Sequence, residues 1–533
     1  MSIVDPIAEG LARGWKVTDG ATLTGDLSLS ADVVIVGSGA GGGMTAERLA
    51  KAGLSVILVE EGALRSSRDF RLDEAKAYPE LYQEAANRQT ADKGITILQG
   101  RTVGGSTVVN WTSSFRTPPE TLAYWRDWLG LKDLTDAALA PWFELAEQRL
   151  SVSDWQIEPN PNNSLLGKGC EALGISHGRV RRNVKGCWNL GYCGMGCPTN
   201  AKQSMLVTTI PDALDASARL LTRVRVERLL TSEDGSRVEL VGAVALDATG
   251  IRPTGRMVTL RAKEIVLSAG AIGTPAILLR SQLKDPLRLT GTRTFLHPVC
   301  LSGAQFAERV EPFNGAPQTV YSDHFLRVDT IDGAVGYKLE VPPVHPMLAA
   351  VTLCGFGQRH AELMQTLPNM QVTLALLRDG FNPGSMGGKV VLRDDGTPVL
   401  DYPISDTLWD GIRRAWLTMA EVQFAAGAQS VLTMHELARP VKSWAEAKRQ
   451  INNLPLKPVL ARVVSAHVMG GAAMGPDEQS GVVNAFGQHW QVKNLTVIDG
   501  SVFPTSIGAN PQLSVYAFAL RATDALQKRM AGG

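Results

Sequence analysis

Gly37, Gly39 and Gly42 form a G-x-G-x-x-G run between the apolar stretch 31–36 (ADVVIV) and a helical stretch at 44–52. In such a run the first glycine permits a tight turn, the second lets the backbone approach a pyrophosphate, and the third lets helix pack on strand. The helix start then presents unpaired N–H groups and the positive end of its dipole to a phosphate. Glu60 closes the next apolar run, LSVILVE, 23 positions after Gly37, where a carboxylate can accept hydrogen bonds from a ribose. Alone, the glycines fit any Gly-rich turn. With strand, helix, second strand and acid in order they indicate a dinucleotide site, without separating FAD from NAD.

A second group of reactive side chains is Cys187, Cys193 and Cys197, spaced C-x5-C-x3-C among glycines. Three thiolates on such a loop could hold an iron–sulfur cluster. A structural zinc would want a fourth ligand that the neighbouring sequence does not offer. The reading favoured here is a compact Gly-rich loop with free thiols and no metal.

These groups sit in a chain of ordinary soluble composition: 533 residues, 44% hydrophobic, 20% charged and 6% aromatic. The length calls for two structural domains. With 53 basic and 52 acidic residues the net charge is +1, which gives no footprint for nucleic acid. No apolar run is long enough for a spanning helix, and the first twenty residues do not read as a secretory signal. Six cysteines are too few for a disulfide framework, so a cytoplasmic location is expected, with peripheral attachment to the inner membrane face compatible.

The elements that must position the glycines are a βαβ unit from 31 to 60, in which parallel strands need the helical crossover. Residues 263–279 again read as strand, turn and helix. A long helix is expected at 405–426, and the end of the chain reads as strand, loop and long helix. Nucleotide-binding elements therefore lie at both ends of the sequence and in its middle.

Four blocks carry a resemblance. GRTVGGSTVVN (100–110) resembles the first signature of the glucose–methanol–choline (GMC) oxidoreductase family, and GAIGTPAILLRSQL (270–283) resembles its second. HVMGGAAMG (467–475) and NLTVIDGSVFPTSIGANP (494–511) resemble its C-terminal active-site pattern. The departures are Gln282 where the family usually has glycine and Gly471 where it usually has threonine. GYCGMGCPTNAKQS, ending beyond Lys202, is similar to a Cys/Gly-rich stretch of the family's long-chain alcohol oxidases, although some multi-subunit dehydrogenases of the family carry a three-cysteine loop with a cluster.

The resemblance implies a discontinuous Rossmann-like FAD-binding domain (30–117, 200–300 and 461–533). It implies a second, α+β substrate-binding domain with its cap (118–199 and 301–460). It selects FAD, held without a covalent bond because no histidine stands near the 100–110 loop. Bare backbone at Gly104, Gly105 and Ser106 lets amides meet the cofactor. By resemblance, Arg101, Asn110, Val226, Asp499 and Pro511 also belong to the cofactor site, Asn110 against the flavin edge and Val226 near the adenine. A buried strand valine and a capping aspartate are the alternatives for Val226 and Asp499.

The resemblance further makes His467 the base that takes a substrate hydroxyl proton, a task suited to imidazole. Asn510 is expected to hydrogen-bond the hydroxyl oxygen. His297 and His345 are expected to be structural. The implied reaction is oxidation of a primary alcohol, medium- or long-chain and aliphatic, by hydride transfer to the flavin. Sterol, choline or sugar oxidation and a flavin-containing lyase are the alternatives. Oxygen, a quinone or a cytochrome could reoxidise the flavin. The purified polypeptide should therefore be yellow, with the visible absorption of an oxidised flavin; a colourless protein that takes up no FAD would contradict the whole reading.

Overall fold

The computed structural model describes residues 3–532. β-Branched apolar runs collect in an eight-stranded sheet. Its parallel part runs Lys16–Asp19, Arg219–Thr222, Val56–Val59, Leu27–Val36 and Pro253–Leu267, with Leu495–Val497 added beside the last. Val238–Leu246 and Val224–Thr231 extend it as an antiparallel flap on the first half of Pro253–Leu267. Val56–Val59 and the last four residues of Leu27–Val36 are buried on both faces, as a sheet covered by helices demands. The helices Ala40–Lys51 and Gln512–Ala531 pack against each other over this sheet, so the first and last thirds of the chain share one core.

The turn after Leu27–Val36 depends on glycine. Gly37 has φ +96°, and a Cβ there would stand 2.3 Å from the Ser268 carbonyl oxygen. A Cβ on Gly42 would stand 1.9 Å from the Gly37 oxygen, so the helix Ala40–Lys51 can lie on its strand only without side chains at this point.

A nine-stranded, mainly antiparallel sheet builds the second half. Its order is Arg88–Gln89, Ile95–Ile97, Val463–Ser465, Val299–Gln305, Met370–Leu377, Tyr337–Glu340, Val320–Ser322 and Gly178–Arg179, with Ser430–Thr433 beside Val299–Gln305. The helix Asp406–Ala425, capped by Ser405, lies against Val299–Gln305 and Met370–Leu377. Three of these strands, Arg88–Gln89, Ile95–Ile97 and Val463–Ser465, fall within stretches that the sequence places on the nucleotide side. They cross because the chain passes between the two sheets there. Thr294–Leu296 pairs with Val468–Gly470 in a small ribbon, and both segments then run directly into or out of the second sheet.

The two departures from the family pattern have different consequences. Gly471 has φ +92°, and a Cβ would lie 2.7 Å from Pro275 Cγ, so threonine does not fit this backbone. Gln282 follows the helix Gly270–Arg280 with φ +51°, the left-handed region that glycine enters freely and other residues enter at a cost of about 1 kcal/mol. Gln282→Gly should accordingly raise the stability by up to about 1 kcal/mol, read as a higher denaturation midpoint; an unchanged or lower midpoint would show that the strain is absent or offset.

Candidate active site

His297 and His467 occupy the short links between the small ribbon and the second sheet, one on each of two neighbouring antiparallel segments. Their backbones meet at this crossing, with His297 N–H donating to His467 O at 3.3 Å. The rings meet edge to face, Nδ1 to Nδ1, at 3.0 Å. The Gly508 amide donates to His297 Nε2 at 3.1 Å. His467 is part-exposed and its Nδ1 is engaged, so Nε2 is the nitrogen left for a ligand. The protein packed around His467, with the Lys338 charge acting the same way, holds its pKa down to about 3. Burial likewise drives His297 well below the ordinary histidine value, with His467, Lys338 and Arg378 adding to the effect.

Asn510 is buried two residues beyond Gly508. Its Nδ2 donates to Glu340 Oε2 at 3.1 Å, and its Oδ1 is buried with no protein partner. Glu340 takes one of the two Nδ2 hydrogens, so a second N–H and the Oδ1 of Asn510 are left without a protein partner. Glu340 Oε2 also accepts from Gln318 Nε2 at 2.5 Å, and Gln318 Oε1 accepts from Ser113 at 2.6 Å, which fixes the direction of the chain. Period-two alternation on Tyr337–Glu340 puts Lys338 on the same side as Glu340, with Nζ 3.4 Å from Oε1. Lys338 Nζ also lies 2.9 Å from the centre of the Phe115 ring. Burial pulls Lys338 down to about 8 and raises Glu340, each partly opposed by the other.

The residues expected around the cofactor form a cradle between the two glycine loops. Gly39 starts the helix Ala40–Lys51 with no side-chain cap, leaving its first amides to an external acceptor. A Cβ on Gly105 would lie 2.8 Å from Gly39 Cα, so the loops touch backbone to backbone. Ser38 joins them: Gly104 N–H donates to its hydroxyl at 2.9 Å, and the hydroxyl donates to Glu60 at 2.6 Å. Glu60 also accepts from the Ser38 and Gly62 amides, and burial raises its pKa. Bare backbone, uncapped amides and an acid at the strand end fit FAD.

The remaining expected positions are more varied. Ser106 accepts from the Gly100 amide at 2.9 Å, and Arg101 faces Glu61 and the Gly250 carbonyl. Val226 is a buried strand residue whose carbonyl is held by Arg280. Asp499 accepts from Gly270 N–H, Thr274 Oγ1 and Ser501 N–H, so it caps both the helix Gly270–Arg280 and the turn Gly500–Val502. Pro511 precedes the helix Gln512–Ala531.

Asn110 donates to Gln512 Oε1 at 2.7 Å, and Gln512 in turn donates to the Ser113 carbonyl at 2.8 Å. Buried Lys202 donates to the carbonyls of Val108, Asn110 and Cys193 at 2.7, 2.7 and 2.6 Å, clamping the cysteine loop onto the 100–110 loop. Cys187, Cys193 and Cys197 are free and half-buried. Among the described residues no three His, Cys, Asp or Glu side chains converge as a metal site.

Lys338, Glu340 and Gln318 escaped the sequence reading, and His297, expected to be structural, stands against His467. A Lys–Leu–Glu strand segment is indistinguishable from a solvated edge. Alternation alone puts Lys338 and Glu340 on one face. Only the neighbouring strands show that this face is interior.

Comparison with known proteins gives the family. The GMC oxidoreductase family models match residues 78–299 and 383–519, and a FAD-binding-domain model matches 32–71. A GMC-type oxidoreductase of Mycobacterium tuberculosis is 32% identical over 505 residues, 94% of this chain and 76% of the relative. The long-chain-alcohol oxidase FAO4B of Arabidopsis thaliana is 30% identical over 523 residues, 93% of this chain and 68% of the relative. Formate oxidase of Aspergillus oryzae superposes with a TM-score of 0.72 at 17% identity, covering 95% of this chain and 99% of its own. The chain belongs to the GMC oxidoreductase family and is an FAD-dependent oxidoreductase acting on CH–OH donors.

Proposed function

We propose that this enzyme oxidises a primary aliphatic alcohol of medium or long chain to the aldehyde. The observation that carries the reading is the His467 ring, held through Nδ1 by His297 with Nε2 left for a ligand. Bound FAD supplies the hydride acceptor. The chain's part is to bring the hydroxyl to His467 Nε2, which takes its proton, with the second Nδ2 hydrogen of Asn510 left to meet the hydroxyl oxygen. Orientation of this kind lowers the barrier by removing the search for a reactive geometry. The neutral imidazole that a base requires is secured by burial and by the Lys338 charge.

An aliphatic substrate is supported by the likeness to long-chain-alcohol oxidases and by the surface near the cysteine loop. There the His345 ring lies 4.8 Å from Tyr192, and the following segment exposes Met347, Val351 and Phe356, the last at 92%. The adjacent strand Met370–Leu377 is wholly core. The oxidase relatives favour oxygen as acceptor over a quinone or cytochrome. Among the described residues no helix is long and apolar enough to cross a membrane. Peripheral attachment to the cytoplasmic membrane face remains part of the proposal through these same exposed side chains.

His467→Ala should keep FAD yet lose about a hundredfold or more of the anaerobic flavin-reduction rate with a primary alcohol series. A variant that bleaches as fast as wild type would remove His467 from the reaction. The pH dependence follows from the depressed histidine. Its proton is lost far below the ordinary value, so the basic form is present throughout the neutral range. Flavin reduction should stay level from about pH 8 to about pH 5 and fall only on approach to the value near 3. A half-maximal rate near pH 6.5, the ordinary histidine value, would contradict the burial of this ring.

A further inference from the structure

Lys338 contributes only its charge to the proposed reaction, yet its ammonium is enclosed in the manner of a bound ligand. We propose that Lys338 is a specificity-determining residue: its ammonium fills a cation cage formed by Glu340, Phe115 and Tyr321, and so turns away alcohols that carry a positive charge close to the hydroxyl. This rests on the alcohol-oxidising reading of the site and names the substrates that the site refuses.

The cage follows from strand register. Val320–Ser322 and Tyr337–Glu340 pair antiparallel, with Tyr321 opposite Glu340. Directly opposed residues point to the same side of a sheet, and Lys338 shares that side two positions from Glu340. Tyr321, Lys338 and Glu340 therefore converge on one face. Phe115, from the segment after the 100–110 loop, closes it, meeting Tyr321 edge to face with ring centres 4.9 Å apart. Lys338 Nζ lies 2.9 Å from the centre of the Phe115 ring, 4.5 Å from that of Tyr321 and 3.4 Å from Glu340 Oε1. Aromatic faces and a carboxylate around one nitrogen are the means by which proteins hold the ammonium groups of ligands. Here the chain supplies the ammonium itself, and Lys338 and Glu340 are both buried.

The cage borders the reacting atoms. Glu340 holds the Asn510 amide through Oε2, and the second hydrogen of that amide is the one left for the alcohol oxygen. After burial, which dominates, the Lys338 charge is among those that hold down both His467 and His297. A cation a carbon or two from a hydroxyl at His467 Nε2 thus enters the field of Lys338 whichever way its chain runs. Arg378 adds to that field.

No anion is left to receive such a cation. The single charge of Glu340 is matched by Lys338, and farther out Asp323 is paired with Arg327 at 2.8 Å. A cationic substrate would give up its water beside like charges, a cost that an uncharged alcohol of the same shape does not meet. Without the Lys338 side chain, Glu340 and the two rings would face an alkylammonium-sized space, and the preference would turn.

The test compares the FAD-loaded wild type, Lys338→Ala and the double variant Lys338→Ala/Glu340→Gln. Anaerobic flavin reduction is measured with choline and with its uncharged carbon isostere, in which a tert-butyl group replaces the trimethylammonium. The wild type should prefer the uncharged alcohol. Lys338→Ala should raise the ratio of the choline rate to the isostere rate by about tenfold or more, and the double variant, which lacks the carboxylate, should raise it less. A second readout is the thermal midpoint. n-Propylammonium chloride should raise that of Lys338→Ala above its value in equal sodium chloride, by replacing the missing ammonium, and should leave the other two proteins unmoved.

A wild type that oxidises choline as readily as the isostere overturns the proposal. So does a Lys338→Ala enzyme with unchanged selectivity or no response to n-propylammonium, or a double variant that accepts choline as well as Lys338→Ala does. If Lys338→Ala does not fold, Lys338→Gln, which keeps a donor for Glu340 without the charge, carries the substrate comparison. If neither alcohol bleaches the flavin, the substrate reading falls, while the n-propylammonium shift still decides whether Lys338 occupies a cation cage.

Discussion

A carboxylate removed from water needs donors and countercharge, and Glu340 draws two hydrogen bonds to Oε2 and an ion pair to Oε1 from distant parts of the chain. Lys338 comes from its own strand, Gln318 from the segment before Val320–Ser322, and Asn510 from the last turn before the C-terminal helix. Removing Lys338 from such a buried set would leave the carboxylate charge uncompensated, typically worth about 3–5 kcal/mol. The orientation of Asn510 follows from this requirement and from nothing within its own turn. Glu340 holds one of the two Nδ2 hydrogens and so fixes the plane and direction of the amide.

The cofactor side is organised by a different constraint, the approach of bare backbone. The loops at 37–42 and 104–105 meet where a single methyl group would separate them, and Ser38 stitches the two together through Gly104 and Glu60. Lys202 adds a third layer by spending all three of its donors on carbonyls. The cysteine loop consequently acts as a bracket for the 100–110 loop. Its thiols are bystanders to that role, which belongs to the Cys193 carbonyl.

Much of the nucleotide half is legible in the sequence, because each signal there is local. Buried parallel strands read as unbroken apolar runs, and the turn between strand and helix reads as glycine because no other residue survives the contact at Gly37 or Gly42. The long helix at Asp406–Ala425 and its Ser405 cap are equally plain. What escaped were properties of pairs. Nothing in FLHPV distinguishes a packing histidine from one set against another 170 positions away, and the strands at 88–97 and 463–465 carry no mark of which sheet receives them.

By itself the sequence determined the dinucleotide fold, the family and the residue types able to move a proton, since these rest on backbone geometry and periodicity that neighbouring residues dictate. The tertiary structure alone decided which nitrogen of His467 is free, which carboxylate fixes the Asn510 amide, and that Lys338 and Glu340 are interior. Those outcomes depend on hydrogen-bond direction between segments far apart in the chain, and direction exists only once donor and acceptor have been brought to within about 3 Å.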